Sequence, residues 1–487
     1  MTTIPQFFSG KNVFITGISG FLGKVLMEKI LRSCPDVGAV YVLLREKRGV
    51  SSQQRIEGIL ATQLFDDLRS CSPESFAKVK LVTGDLLEHR IIPDDGDLEM
   101  LQNTIDVVIH SAASVRFSEP LINSIDINLK ATYKMLELAK TMKHLHSFVH
   151  VSTAYSNCQL KKVREEIYKC EFDPVNLLSM SEWMSEKLME HLTPKILEDR
   201  PNTYTFTKAM AEILVEQYSS CLPIAIVRPS IITGAALEPL PGWVDNYNGP
   251  NGLLIALGTG ALTTLYSQLD CVADLIPVDF VANTILAAAK HSKDGFKIYN
   301  CTSGSQNPIK WRKFMEESVD FPHRFPSMSI VRYPQPRITT HKGLHKIRLF
   351  LQHYVPAQVV DAALRLARKK PMAAKLYQRL SASMDLLEFF ATNEWVFDNT
   401  NTQNLFAGLH KSDKDEFNFD VRTIDWPSYV HTYCSGIRRY LLKEDSSNLE
   451  QARAHVRRLK YIKHAYDICG NVLLTWGAWK ACCTMLL

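Results

Sequence analysis

Tyr204 and Lys208 stand four residues apart in RPNTYTFTKAMAEILVEQ, a stretch with helical periodicity, so their side chains share one face. A phenol titrates near 10 and is a poor acid–base catalyst at neutral pH. A neighbouring ammonium can pull it toward the working range, which suits proton transfer to a carbonyl oxygen. Upstream, His150-Val151-Ser152-Thr153 closes an apolar run that reads as a strand. A hydroxyl at that strand end can hydrogen-bond the same oxygen. Alternation along a strand lets only one of Ser152 and Thr153 face the site, and Thr153 is the residue chosen; the alternative is that both cap the strand end. Tyr155 is a competing phenol, but Gln159 stands where its lysine would be.

A Tyr-x-x-x-Lys pair means little alone. It gains weight from Thr16-Gly17-Ile18-Ser19-Gly20-Phe21-Leu22-Gly23, which follows the first predicted strand and opens the first helix. Glycines at 17, 20 and 23 allow a tight turn and bring backbone N–H groups and a helix N-terminus to a pyrophosphate. A nicotinamide dinucleotide is the expected cofactor, with Thr16 to Gly23 beneath it, Lys208 on its ribose and Tyr204 at its reacting end. The second strand ends in LLREKRG, with Arg45 at its tip and no Asp for ribose hydroxyls, which favours NADPH over NADH; a solvated basic loop is the alternative. Asp85, after the third strand, can accept from the adenine amine or cap a turn. Arg228 closes the sixth strand and can meet the cofactor's phosphates or the substrate. His110 reads as a buried structural histidine, Asn128 as a helix cap, and nothing sets up Cys158 as a nucleophile. No paired Cys/His cluster with zinc spacing occurs, so no metal is expected.

These residues need a scaffold that brings strand ends together. Val13 to Ile15, Val40 to Leu44, Val79 to Val82, Val107 to Ile109, Phe148 to Val151 and Ile224 to Val227 are short apolar runs separated by helix-patterned segments such as 129–143. That alternation predicts an α/β, doubly wound parallel sheet of the Rossmann type. Two stretches interrupt it, 159–203 and the Gly/Pro/Asn-rich 234–260, the latter read as a structured loop and not a helix. Past residue 325 the pattern turns helical, with amphipathic segments at 358–369, 372–391 and 428–443. The expected division is therefore a reductase domain over 1–325, a mostly α-helical domain over 326–450 and a tail over 451–487.

The chain has 487 residues with 56 Lys+Arg against 51 Asp+Glu, a net charge of +5. Residues 451–487 hold six cations and one acid, Asp467, so the first 450 residues are electrically balanced. A balanced body argues against a nucleic-acid partner. Eleven scattered cysteines without CxxC, and an N-terminus without a secretory pattern, fit reduced thiols in a cytosol-facing protein.

Eight segments together carry a family resemblance: TGISGFLGKVLMEKILRSCP, HSAASVRF, HVSTAYSNC, EWM, RPNTYTFTKAMAE, AIVRPSI, PGWVDNYNGPNG and NFDVRTIDWPSYVHTYCSGIRRYLLKED. In this order they resemble the alcohol-forming fatty acyl-CoA reductases of animals, within the extended short-chain dehydrogenase/reductase superfamily. The resemblance covers about residues 1–460. It departs at ITGAALEP, which lacks the tryptophan and lysine of close animal relatives. It implies that Gly17, Gly20 and Gly23 serve NADPH, and that Thr153, Tyr204 and Lys208 are catalytic. It implies reduction of a long-chain acyl-CoA by two NADPH to a primary alcohol, through an aldehyde, with release of coenzyme A for lipid or ether-lipid synthesis. Rival readings are another extended dehydrogenase, for a steroid or sugar nucleotide, and a non-catalytic NADPH-binding scaffold.

The resemblance also implies a peroxisomal membrane location with the catalytic body facing the cytosol; the endoplasmic reticulum is the alternative. The basic run Arg453 to Lys463 leads into ICGNVLLTWGAWKACCTMLL, long enough to span a bilayer only if Asn471 and Lys480 are tolerated. The animal family continues past this point with more hydrophobic sequence, so the expectation is an altered tail that makes a membrane contact. An ordinary surface helix is the alternative.

Overall fold

In the computed structural model, which describes residues 2–485, the apolar runs pair side by side into one seven-stranded sheet. The strands are β1 (Asn12–Thr16), β2 (Ala39–Leu44), β3 (Val79–Thr83), β4 (Val107–His110), β5 (Ser147–Val151), β6 (Ile224–Pro229) and β7 (Lys297–Cys301). All pairings are parallel, in the order β7-β6-β5-β4-β1-β2-β3. Every residue of β4, β5 and β6 is buried, which is why these strands read as unbroken apolar runs without alternation. β7 was not among the predicted strands, because Lys297 and Asn300 interrupt its apolar character. Asn300 is nonetheless buried, its amide donating to the Asp398 carbonyl at 2.6 Å.

Helices α1 (Phe21–Ser33), α2 (Ser52–Leu60), α3 (Ala131–Lys140), α4 (Thr203–Gln217) and α5 (Val278–His291) lie in the crossovers between these strands. The winding reverses between β1 and β4. In open sheets of this kind, ligands sit outside the carboxyl ends of the strands at that reversal. Thr16, Ser111, Thr153 and Tyr204 all belong to segments at that edge.

The chain folds as two compact units. One contains Met1–Trp243, Val272–Ile309 and Asn393–Asp425; the other contains Val244–Cys271, Lys310–Thr392 and Trp426–Leu487. This differs from the three consecutive pieces expected. Asn393–Asp425, placed by pattern in the helical domain, returns to the sheet unit because its polar side chains complete hydrogen bonds there. Val396 and Phe397 pair in parallel with Lys162 and Val163. Trp395 Nε1 donates to the Cys158 carbonyl at 2.8 Å, and Asn401 Nδ2 to the Ile298 carbonyl at 3.0 Å. Glu165 accepts from the backbone of Asn300 and from Thr402, and burial pushes its carboxyl up to about 7.

A second correction concerns 234–260, expected to contain no helix. Pro250–Gly258 is helical. Gly249 supplies the positive φ (53°) that turns the chain, and Pro250 starts the helix with its φ already set. The turn chemistry was legible there, but the apolar run after it was not credited.

In the second unit, α6 (Lys342–Leu349) continues through a π turn (Phe350–Tyr354) into α7 (Val355–Leu366), and α8 (Ala373–Thr392) returns. The final helix, α9, spans Leu449–Met485. Among the described residues no helix is long and apolar enough to cross a membrane. The run expected to contact one, 468–487, falls almost wholly on side chains outside those described.

Candidate active site

Gly17 sits at φ +81° directly under the loop that follows β4; a Cβ there would lie 2.7 Å from the Ala112 nitrogen. At Gly23 a Cβ would lie 2.5 Å from the Gly17 carbonyl oxygen. Neither position admits a side chain without moving backbone. Gly20 is the N-cap of α1, and the first turn has no side-chain cap and no acid. Its N–H groups and positive dipole end are thus left for an anion. Phe21 stacks on Trp243 (5.3 Å, 27°), and Leu22 is half-buried beside it. Thr16, expected at the cofactor, has its side chain fully buried below the turn. Its hydroxyl bonds His110 Nδ1 at 2.8 Å. The other ring nitrogen meets Thr132 Oγ1 at 3.1 Å, and that hydroxyl already donates to the Asn128 carbonyl. His110 therefore carries its proton on Nε2, and burial lowers its pKa to about 3, keeping it neutral.

At the tip of β2, Arg45 pairs with Asp85 at 2.6 Å. The other Asp85 oxygen accepts from the Leu87 nitrogen at 3.0 Å, the turn contact that was one of the two readings for this carboxylate. Arg55, on α2, donates to the Arg45 carbonyl at 2.6 Å. The Lys47 ammonium is held below its usual range by burial and by Arg55, Arg45, Arg48 and Arg116. Five cations thus gather at this strand end, one of them paired with Asp85. Arg55 and Arg116 were not singled out from sequence, because only tertiary folding brings α2 and the β4 loop to this strand end.

Asn202 caps α4, its side chain accepting from the Thr205 nitrogen at 2.9 Å, and this fixes the start of the helix that carries Tyr204 and Lys208. Tyr204 lies half-buried, its ring 5.8 Å from that of Phe117. Burial pushes its phenol up to about 12, while a hydrogen bond with the Thr153 hydroxyl pulls the other way. Lys208 is buried, donates to the Val151 carbonyl at 2.6 Å, and is lowered by burial to about 8. Within the protein alone, burial is the largest influence on the Tyr204 phenol. The Lys208 ammonium donates to the Val151 carbonyl, at the end of the strand that carries Thr153.

Ser152 and Thr153 turn to opposite sides. Ser152 Oγ donates to Glu212, one turn after Lys208, whereas Thr153 faces Tyr204. Glu212 is buried and also accepts from Ser156 Oγ at 3.2 Å and from Arg228 Nε and Nη2 at 2.8 and 2.7 Å. Arg228, expected at the cofactor or substrate, is therefore a structural residue. It is fully buried, and it also donates to the Arg164 and Glu166 carbonyls, both at 2.9 Å. Glu212 was missed, although its spacing to Lys208 repeats the Tyr204–Lys208 interval.

Asn128 does more than cap a helix. It lies in a π turn, Ile125–Lys130, where its oxygen accepts from the Ser114 nitrogen at 2.8 Å and its amide donates to Thr207 Oγ1 at 3.0 Å. It thereby links the β4 loop to α4, and π turns are frequent at functional sites. Tyr155 is buried edge-on to Trp395 and Phe397. Burial raises the Cys158 thiol to about 12, which keeps it protonated and unreactive. Among the described residues no cluster of His, Cys, Asp and Glu could hold a metal.

A glycine turn below a helix start, at the reversal of a parallel sheet and beside a Tyr/Lys helix, defines a dinucleotide-binding fold of the short-chain reductase class. Residues 15–285 match a family described as male sterility protein, and residues 352–444 match a second family of the same description. The chain is 43% identical to fatty acyl-CoA reductase 1 of Xenopus laevis over 485 residues, covering 99% of this chain and 94% of that one. It is 41% identical to the mouse enzyme of that name (98% and 93% covered) and 38% to human fatty acyl-CoA reductase 2 (99% and 93%). Among solved structures, a reductase domain of a nonribosomal peptide synthetase from Mycobacterium tuberculosis aligns with a TM-score of 0.60 at 18% identity, over 88% of this chain and 92% of that one. The UDP-glucuronic acid 4-epimerase of Bacillus cereus, in complex with NAD, aligns at 0.52 and 13%, over 89% and 99%. The chain belongs to the fatty acyl-CoA reductase family.

Proposed function

We propose that this protein reduces a long-chain fatty acyl-CoA to the primary alcohol with NADPH, releasing coenzyme A through an aldehyde. The observation that carries the chemistry is the Tyr204 phenol hydrogen-bonded to the Thr153 hydroxyl at the end of β5. The site fits the dinucleotide: Gly17 and Gly23 leave room that a Cβ would fill, and the α1 N-terminus offers uncapped N–H groups to a pyrophosphate. Arg45, Lys47, Arg48 and Arg55 supply the charge that a 2′-phosphate needs, which supports NADPH over NADH. When bound, a reduced nicotinamide supplies hydride to a carbonyl carbon.

The chain's own residues supply the rest. Tyr204 and Thr153 donate hydrogen bonds to the carbonyl oxygen as negative charge grows there. From the thioester level the collapsing oxyanion expels thiolate, a good leaving group, and an aldehyde results. The aldehyde presents the same oxygen to the same two donors. After hydride from a second reduced nicotinamide, the alkoxide takes the Tyr204 proton to give the alcohol, and solvent reprotonates Tyr204. Lys208, held on the Val151 carbonyl, fixes the β5 end against α4 and can reach the ribose. Incubation with palmitoyl-CoA and NADPH should consume cofactor and yield hexadecanol; cofactor binding without oxidation by any acyl-CoA would return the scaffold reading.

The cation cluster makes a separate prediction. Arg45→Ala combined with Arg55→Ala removes two charge-assisted contacts, so the NADPH-over-NADH preference should fall on the order of a hundredfold. An unchanged ratio of the two dissociation constants would place the 2′-phosphate elsewhere.

The basic run Arg453 to Lys463 supports contact with anionic lipid, and the proposed location is the cytosolic face of a peroxisomal membrane, with the endoplasmic reticulum as the alternative. Imaging the tagged full chain against markers for both organelles tests this.

A further inference from the structure

The continuous helix α6–π–α7 buries one face and leaves an apolar stripe on the other. Leu344, Ile347, Leu351, Val355, Val359 and Leu366 follow at helical spacing, with Ile347 58%, Leu351 59%, Val359 64% and Leu366 88% exposed. The inner face is fixed by His345 against Thr264 (3.2 Å) and by His353, whose Nε2 accepts from the Thr263 nitrogen at 3.2 Å, so the stripe cannot roll inward. At the far end Asp361 is buried and accepts from the nitrogens of Met372, Ala373 and Ala374, clamping α7 to the start of α8. Met372 and Leu376 extend the exposed apolar surface onto α8.

Charge identifies what covers this surface. Residues 342–392, the whole hairpin, contain nine Lys and Arg and three acids, Asp361, Asp385 and Glu388. Asp361 is buried and committed to backbone, and Glu388 pairs with Lys342. Cations therefore remain in excess at the surface, most densely at the α7–α8 tip, which holds no acid. The exposed tip between α7 and α8 reads Arg368-Lys369-Lys370. A second copy would bring the same excess of positive charge and be repelled. An apolar stripe flanked by cations on a non-spanning helix is the pattern of a segment lying in the headgroup plane of an anionic bilayer.

We propose that the α6–α8 hairpin is a membrane-docking face, distinct from the C-terminal tail, which seats its apolar stripe in a phosphatidylserine-type leaflet. The test is flotation of the full chain with phosphatidylcholine vesicles, with and without phosphatidylserine. Native protein should float with the anionic vesicles and lose binding as salt rises. The tip variant R368E/K369E/K370E should partition on the order of a hundredfold less, with an unchanged thermal unfolding midpoint. Val359→Asp with Leu366→Asp should lose binding too; should it fail to fold, the exposed tip variant carries the test. Deleting 465–487 should leave anionic flotation measurable. The proposal is overturned if the tip variant floats like native protein. It is equally overturned if the tail deletion alone abolishes flotation, or if the stripe change dissociates a dimer while vesicle binding persists.

Discussion

Tyr204→Phe is expected to lower kcat on the order of a thousandfold while NADPH still binds. The ring keeps its place near Phe117, and the glycine turn and the cations of β2 are untouched. Only the proton and one of two donors to the carbonyl oxygen disappear, and general-acid groups contribute about 10²–10⁴ in rate. KM should change little, because the donor acts mainly as charge develops. Stopped-flow NADPH consumption and a separate fluorescence titration distinguish the two terms; more than a tenth of native kcat would sink the assignment. The pH profile carries the companion sign. A phenol raised to about 12 is protonated across the working range, so it sets no limb near neutrality. Lys208, lowered to about 8, is charged below that pH and neutral above it. If its ammonium supports the reaction, reduction should be level on the acid side and decline as pH rises through about 8. Lys208→Met should remove that decline and lower the plateau.

The second large effect lies beneath the site. Arg228→Leu should destabilise the sheet unit by about 3–5 kcal/mol, because it leaves the Glu212 carboxylate buried without its cation. The change also strips donors from the Arg164 and Glu166 carbonyls, which tie the 159–203 insertion to β6. Urea unfolding measures it, and a loss under about 1 kcal/mol would show that water reaches the pair. Converting Glu212 to Leu as well should recover part of the loss, since two apolar residues leave no unpaired charge. Catalysis should fall further than stability explains in either single variant. Glu212 holds Ser152, and the direction of Ser152 decides which way Thr153 points.

Six of seven strands, the glycine turn and the Tyr204–Lys208 face were legible because each is a local pattern: an apolar run, a tight turn, a helical interval. β7 was not, since its burial rests on Asn300 finding a carbonyl in a segment about a hundred residues away. Arg228 shows the limit most plainly. A cation at a strand end is consistent with a phosphate ligand or with a buried partner, and only the fold brings Glu212 against it. Asn128 and Thr16 show the same limit, since their side-chain partners lie across the sheet edge and not nearby in sequence. The helix at Pro250–Gly258 failed for a different reason, because Gly and Pro at a helix start carry the same signal as a loop.

The return of Asn393–Asp425 to the sheet unit has a consequence for biosynthesis. A ribosome releases the chain in order, yet the edge strand β7 gains Asn401 on the Ile298 carbonyl and Thr402 on the Asn300 carbonyl only after the whole of Lys310–Thr392 has been made. The nucleotide-binding half therefore cannot mature early and wait for its neighbour. Its closure is deferred until about residue 425 has emerged, so a nascent chain halted near 325 exposes polar backbone at β7 and should be held by chaperones or degraded.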